Sequence, residues 1–393
     1  MKILIYGVGG FTRRYFPITR EIIENAGMEL MGFVDSKAVN FQDGYVGFRV
    51  YSPAELPNID FDRVYIFTYD DAGVYRDIYY RLRDEHGINE NLIGNIADLL
   101  SDAQYMIRNR GNAVQTRPAR IYDCMQFFNE IEILHMRLEI LSPYVDRFVI
   151  VEMNKDHHGR SKPYYLQERL DEFEEYKDRL IIVHPEENEI PEYSEEAKNE
   201  YGHIWTIEQF QRRCISKGLT DAEPEDIILI SDCDEIPDPR ILVDIRKDME
   251  SAYSNIICKM LEKTAIALRQ EYYYFFFNCR NRMRKNTTTI VKYKNMINPQ
   301  VIRDVMNCLP YIDYGGWHLT YFGGVDRIRT KMASIVEGVD VNDETILERI
   351  TSATDIYGRV GDEFELDFLP LEKITIPDID KWIERYPQFY LTQ

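Results

Sequence analysis

The sequence predicts an α/β protein with two domains. Short apolar runs alternate with helical periodicity over the first hundred residues, and a stretch without apolar periodicity follows at 108–118. The same alternation begins again at Ile121. A chain of 393 residues is long enough for two domains that each have a core. We therefore expect a Rossmann-like domain over 1–115 and a second α/β domain over 118–393.

The first domain has the order of elements that builds a parallel sheet. Each apolar run is followed by a helical pattern, which in such a sheet forms a right-handed crossover. The predicted strands are 2–6, 30–34, 64–68 and 91–96, and the predicted helices end near 26 and 86.

Gly7 and Gly9 lie between the first strand and the first helix. Glycines there let the backbone turn tightly and approach a phosphate at the helix N-terminus. Asp35 ends the next strand, about where an acid would bind a ribose, but Thr12 occupies the position of the third glycine of a dinucleotide motif. Three interpretations stay open: a turn that binds nothing, nucleotide or nucleotide-sugar binding, and hydride transfer.

The second domain begins with the same alternation and becomes richer in aromatic residues. Apolar residues at 131, 134, 138 and 141 predict a helix over 129–141. Strands are predicted at 148–151, 180–183 and 227–230, an aromatic run occupies 272–277, and helical patterns extend from about 325 to the end.

Charge and composition exclude several classes of partner. The net charge of −20 argues against binding to nucleic acid or to an anionic membrane, since both need a basic surface. The sequence shows no signal peptide and no apolar run of about 20 residues, and its six cysteines form no CxxC pair. We expect a cytoplasmic protein without a transmembrane segment that associates with a membrane at most peripherally.

Four carboxylates, those of Asp232, Asp234, Glu235 and Asp238, follow the buried strand predicted at 227–230. Like charges this close repel unless a positive group neutralises them. In extended geometry Asp232 and Asp234 share one face, and Glu235 points away. Mg²⁺ or Mn²⁺ on those two aspartates would bind the diphosphate of a nucleotide sugar. The alternative is a polar turn, and Glu235 argues against an aspartyl phosphohydrolase.

Further stretches accompany the acidic one. They are 122–130 with Arg137, 151–154, 158–163, and the glycine-rich 315–324 around Trp317 and His318. Together with 231–237 they resemble glycosyltransferase family 17, which includes β-1,4-mannosyl-glycoprotein 4-β-N-acetylglucosaminyltransferase. The resemblance covers about 270 residues, from Ile121 to the end, and leaves the first 115 outside.

The resemblance implies a GT-A type fold, a UDP-sugar donor (UDP-GlcNAc is expected), a glycan acceptor and an inverting reaction. It also implies roles for individual residues in donor and metal binding. These are Asp232, Asp234 and His318 for the metal, and Glu152, Asn154, Lys162 and Trp317 for the uridine, the phosphates or the sugar.

An inverting transfer needs a carboxylate that deprotonates the acceptor hydroxyl. Glu235, Glu337 and Asp340 are the candidates, and Glu235 ranks first because it adjoins the predicted metal site. The chain departs from the family pattern after the glycine-rich loop. Glu337 stands where a histidine is expected, and Val339 stands where a glutamate is expected.

Two rival functions stay open. The departures near Glu337 are compatible with a non-catalytic module that binds a glycan or a nucleotide sugar within a biosynthetic complex. An NAD-dependent enzyme would use the glycine turn, but the sequence shows no residues for hydride transfer.

Overall fold

The structure is a computed structural model, and it describes residues 1–68, 73–108, 114–190, 206–246, 252–335, 338 and 341–392. The chain divides into two compact units. The first contains the described residues up to 108 together with Lys294–Ile297, and the second contains the other described residues from Val114 onward.

The first unit is built on a parallel sheet, as the sequence predicts. Its described strands lie in the order β3-β2-β1-β4-β5, which is the order of a Rossmann-like sheet. Buried Leu4, Val64 and Ile66 form part of its core. The strands are β1 Lys2–Tyr6, β2 Glu29–Val34, β3 Val50–Tyr51, β4 Arg63–Ile66 and β5 Ile93–Asn95, and the helices are α1 Gly10–Ala26, α2 Val74–Tyr80 and α3 Ile96–Arg108.

The second unit is built on a mixed sheet that has ten strands in the described part of the chain. The strands are β6 Ile121–Phe127, β7 Arg147–Glu152, β8 Leu180–Val183, β9 Ile227–Asp232, β10 Glu235–Pro237, β11 Ile266–Tyr274, β12 Cys279–Asn281, β13 Lys285–Lys292, β14 Tyr311–Thr320 and β15 Leu366–Phe368.

The main path of this sheet runs β10-β14-β11-β13-β9-β6-β7-β8, and β12 pairs with β11 and β15. The pairs β9–β6, β6–β7 and β7–β8 are parallel, whereas β13 pairs antiparallel with both β9 and β11. The parallel half therefore places the carboxyl ends of β6 and β9 next to each other.

Helices surround this sheet. They are α4 Ile131–Leu141, α5 Thr206–Arg213, α6 Pro239–Arg246, α7 Ala252–Leu261, α8 Pro299–Asp304, α9 Gly324–Ser334, α10 Asp343–Thr351 and α11 Ile379–Arg385. The predicted helix at 129–141 and the strands at 148–151, 180–183 and 227–230 are each found within two residues of their expected bounds. The α/β fold class is confirmed.

The apolar runs of the sequence form the core of the second unit. Leu229 of β9 and Phe148 of β7 lie on the two strands that flank β6, and Trp382 packs into the same cluster from α11. None of the helices in the described ranges is long and apolar enough to cross a membrane.

Candidate active site

A cavity of about 400 Å³ opens in the second unit where β6 and β9 end. Gln126 near the end of β6 pairs with Asp232 at the end of β9, and both line the cavity. Ligands bind at the carboxyl ends of parallel strands in open α/β sheets. The cavity therefore lies where the topology alone would place a binding site.

The acidic stretch turns sharply at the edge of this cavity. The backbone N–H of Asp232 donates to Glu235 Oε2 at 3.0 Å, and Cys233 and Asp234 form the turn. Glu235 then starts β10, where it pairs with His318 of β14. The extended geometry assumed from the sequence ends at Asp232, so Asp232 and Asp234 do not continue one strand face.

Arg137 of α4 supports the turn from the interior. It is fully buried, and Asp123 lies 2.6 Å from it as its ion-pair partner. The same guanidinium donates to the carbonyl oxygens of Asp232, Cys233 and Glu235 at 2.8, 3.1 and 2.9 Å. These bonds satisfy buried backbone acceptors and fix the shape of the turn.

Two arginines neutralise Asp232 and Glu235. Arg303 donates to both oxygens of Glu235 at 2.6 and 2.7 Å and to Asp232 Oδ2 at 3.2 Å. Arg212 donates to Asp232 Oδ1 at 3.0 Å and to Glu208 Oε1 at 2.9 Å. Burial would raise the pKa of Asp232, but Arg212 and Arg303 outweigh it and hold that pKa below its ordinary value.

A lysine and a histidine neutralise Asp234 separately. Lys331 Nζ lies 2.7 Å from Asp234 Oδ2, and His318 Nε2 lies 3.4 Å from Oδ1. Burial disfavours the charged forms of both Asp234 and Lys331, but the electrostatic attraction between them outweighs this effect. The pKa of Asp234 is lowered and that of Lys331 is raised.

These contacts do not fit a divalent metal. Each oxygen of Asp232 and Asp234 already has a cationic or imidazole partner. Among the described residues, no three His, Cys, Asp or Glu side chains are grouped to hold an ion. Each unit charge on a cation about 4 Å from Lys331 or Arg303 would add repulsion of about 4 kcal/mol at an effective dielectric of 20. The metal assignment of Asp232, Asp234 and His318 stays a prediction that their present contacts do not favour.

Glu235 lies where a catalytic base is expected, but both of its carboxylate oxygens are already occupied. It lines the cavity, but it is only 1% exposed and Arg303 binds both of its oxygens. The strand alternation predicts that Glu235 points away from the aspartates, whereas in the structure it shares Arg303 with Asp232. The other candidates, Glu337 and Asp340, lie outside the described residues.

Lys162 and His318 line the cavity, whereas Glu152 and Asn154 are not among its lining residues. Lys162 Nζ lies 5.2 Å from the ring centres of both Phe128 and Tyr165, and burial lowers its pKa. Glu152 is fully buried and accepts a hydrogen bond from the backbone N–H of Leu166 at 2.9 Å.

Trp317 belongs to the core, whereas the next residue, His318, faces the cavity. The indole of Trp317 packs in the main apolar cluster and donates to Thr375 Oγ1 at 2.8 Å. The ring of His318 lies 4.2 Å from that of Tyr272, which also lines the cavity. Neighbours on a strand point to opposite faces, so at most one of this pair can reach a donor.

Several cavity residues were not identified from the sequence. Arg303 and Lys331 lie in no recognisable motif, and their helices bring them to the cavity from distant positions. Glu208 also lines it, with its Oε2 3.8 Å from His157 Nδ1. Six of the fifteen residues at 280–294 are Arg or Lys, which is a basic run in an acidic chain, and Lys285 from it lines the cavity.

The glycine turn of the first unit has a structural explanation. Gly7 has a φ of +106°, and a Cβ there would lie 2.9 Å from the carbonyl oxygen of Phe67. Asp35 accepts hydrogen bonds from the backbone N–H groups of Val8 at 3.0 Å and Lys37 at 2.8 Å. The space around Gly9, at the start of α1, is open.

Comparison with known proteins gives one family. The sequence model of glycosyltransferase family 17 matches residues 82–372. This range includes every residue that lines the cavity, and it begins inside the first unit, earlier than Ile121. No curated protein matches the sequence significantly.

Proposed function

The chain belongs to glycosyltransferase family 17 and is an N-acetylglucosaminyltransferase-like enzyme, and we propose that it transfers GlcNAc from UDP-GlcNAc to a hydroxyl of a glycan acceptor with inversion. We propose cell-surface glycan synthesis as its setting, on the basis of family membership alone. Metal dependence is left out of this proposal because the contacts of Asp232 and Asp234 do not fit an ion.

The observation that carries the proposal is the charge of the cavity. The whole protein has a net charge of −20, yet among the residues that the structure describes five cationic side chains line this cavity and balance its five carboxylates. Those cations are Lys155, Lys162, Lys285, Arg303 and Lys331. A cavity of about 400 Å³ lies in the range for small-ligand sites, and its lysines offer contacts to an anionic ligand such as a nucleotide diphosphate, although the rest of the chain is strongly acidic.

The catalytic base is proposed to be a carboxylate at this cavity. Arg303 occupies both oxygens of Glu235, so neither oxygen is open to the acceptor hydroxyl. Ser334 and Ile335 line the cavity, and Glu337 follows them in sequence. We therefore rank Glu337 and Asp340 above Glu235.

Nucleotide or nucleotide-sugar binding by the first unit also stays a prediction. The open space at Gly9 would admit a phosphate to the start of α1. Asp35 is engaged by backbone donors, which argues against a role on a ribose.

A donor panel tests the proposal. UDP-GlcNAc, UDP-glucose, UDP-galactose and GDP-mannose are each added to the full chain, and the unfolding midpoint and nucleotide release are measured. At 100 times its dissociation constant, the true donor should stabilise the protein by about 2.7 kcal/mol. We expect the largest shift with UDP-GlcNAc, and a smaller shift in Lys162→Met. Lys177→Met is the matched control because Lys177 is 61% exposed and pairs with Glu174. A panel in which no nucleotide sugar shifts the midpoint overturns the proposal.

A further inference from the structure

Lys331 is the cation of the cavity that is best placed to receive a phosphate. It lies on α9, and its Nζ is 2.7 Å from Asp234 Oδ2 and 3.8 Å from Glu130 Oε1. In the described part of the chain the ammonium makes one hydrogen bond, to Asp234. An ammonium has three N–H groups, so two remain for a ligand in the cavity.

Arg303 is much less available. Its two terminal nitrogens donate to Glu235, Asp232 and the carbonyl oxygen of Thr287. Arg212 is likewise divided among Asp232, Glu208 and Gln300. The terminal nitrogens of both arginines are thus bound to protein acceptors, whereas Lys331 keeps N–H groups for a ligand.

We propose that the donor's diphosphate binds to Lys331, held in place by Asp234, and that this binding requires no divalent metal. The inference rests on the proposed function, since it concerns the same donor. Asp234 is then a positioning residue for a phosphate-binding lysine. Lys155, Lys162 and Lys285 line the same cavity and offer further cations to the diphosphate.

The geometry explains why a lysine can replace an ion here. A divalent metal in such an enzyme neutralises the diphosphate and bridges it to carboxylates. Lys331 makes the same bridge with protein atoms, because its ammonium contacts Asp234 and also lines the cavity. An ion bound to Asp234 would have to displace this ammonium or lie beside it.

The test measures UDP binding by calorimetry to the full chain, once in EDTA and once with Mn²⁺. We expect the two dissociation constants to agree within about threefold, because the cation is part of the protein. Lys331→Met should weaken binding about tenfold or more in EDTA, and Lys331→Arg should recover part of the loss. Asp234→Asn should weaken binding less than Lys331→Met does, and Lys177→Met should leave it unchanged.

Each outcome decides one question. Binding that appears only with Mn²⁺, or an unchanged dissociation constant in folded Lys331→Met, overturns this inference. Absence of UDP binding with and without Mn²⁺ overturns the proposed function instead. The wild-type comparison decides the metal question even if a variant fails to fold, which circular dichroism reports.

Discussion

Arg303 binds both carboxylate oxygens of Glu235, at 2.6 and 2.7 Å, although 68 positions separate the two residues in the sequence. A bidentate pair of this kind fixes both side chains. The acidic stretch therefore has its own counter-charges within the fold, and its carboxylates orient cations around the cavity.

Removing Arg303 should destabilise the protein. Arg303→Leu leaves the buried carboxylate of Glu235 without its cationic partner, which costs about 3–5 kcal/mol of unfolding free energy. Urea denaturation measures the loss. The double variant Arg303→Leu with Glu235→Gln should recover part of it, because the buried charge is gone. A double variant no more stable than the single one would contradict the pairing.

Arg137 should be irreplaceable by lysine. One ammonium cannot pair with Asp123 and also donate to three carbonyl oxygens, so Arg137→Lys should lose about 3 kcal/mol. UDP binding should weaken as well, since the turn that carries Asp232 and Asp234 loses its support. Arg282→Lys is the control, because Arg282 is 58% exposed and should change stability by less than about 0.5 kcal/mol. Equal losses in the two variants would rule out the supporting role.

Acid should unfold the protein partly through Asp234. Its pKa is lowered on folding, so the unfolded state takes up a proton first as the pH falls below the ordinary value of 3.8. The stabilisation is complete above that pH and is lost as the pH falls toward the folded-state value. Denaturation curves from pH 6 to 2.5 should show a shallower decline for Asp234→Asn, by up to about 1.4 kcal/mol per pH unit. Parallel declines would show that Asp234 is not held ionised.

Trp317 should contribute to the stability of the fold and not to donor binding. Trp317→Phe loses the hydrogen bond to Thr375, which costs about 1–2 kcal/mol, while the dissociation constant of UDP-GlcNAc stays the same. Tyr272→Ala, on the cavity wall, should weaken donor binding. Isothermal calorimetry on both variants separates the two roles, and weaker binding in Trp317→Phe alone would restore the sugar-stacking assignment.

The two glycines of the N-terminal turn should respond differently to alanine. Gly7→Ala combines a φ of +106° with a contact to the carbonyl of Phe67, so we expect a loss of about 2 kcal/mol or more. Gly9→Ala, where φ is −87° and the space is open, should cost less than about 1 kcal/mol. Amide hydrogen exchange of β1 measures the local loss of stability in each variant. Similar protection in both variants would contradict the structural role assigned to Gly7.

Local sequence patterns were sufficient to predict the fold class, most element bounds of the parallel regions and the position of the acidic turn at a strand end. These are local properties, because hydrophobic periodicity, apolar runs and turn residues are each recognised within a window of about ten residues. Strand alternation also separates Trp317 from His318, although it does not say which one faces the core.

The neutralisation of the acidic residues depends on contacts between distant parts of the chain. Lys331 lies 97 positions from Asp234 in the sequence, and Arg303 lies 68 positions from Glu235. No local sequence pattern therefore predicts either ion pair. The turn at Asp232 also breaks the alternation on which the shared face of Asp232 and Asp234 depended. Such contacts depend on where α8 and α9 pack against the sheet. The packing of these helices depends on which apolar residues are buried throughout the unit. The sequence therefore does not predict which cations lie at the cavity.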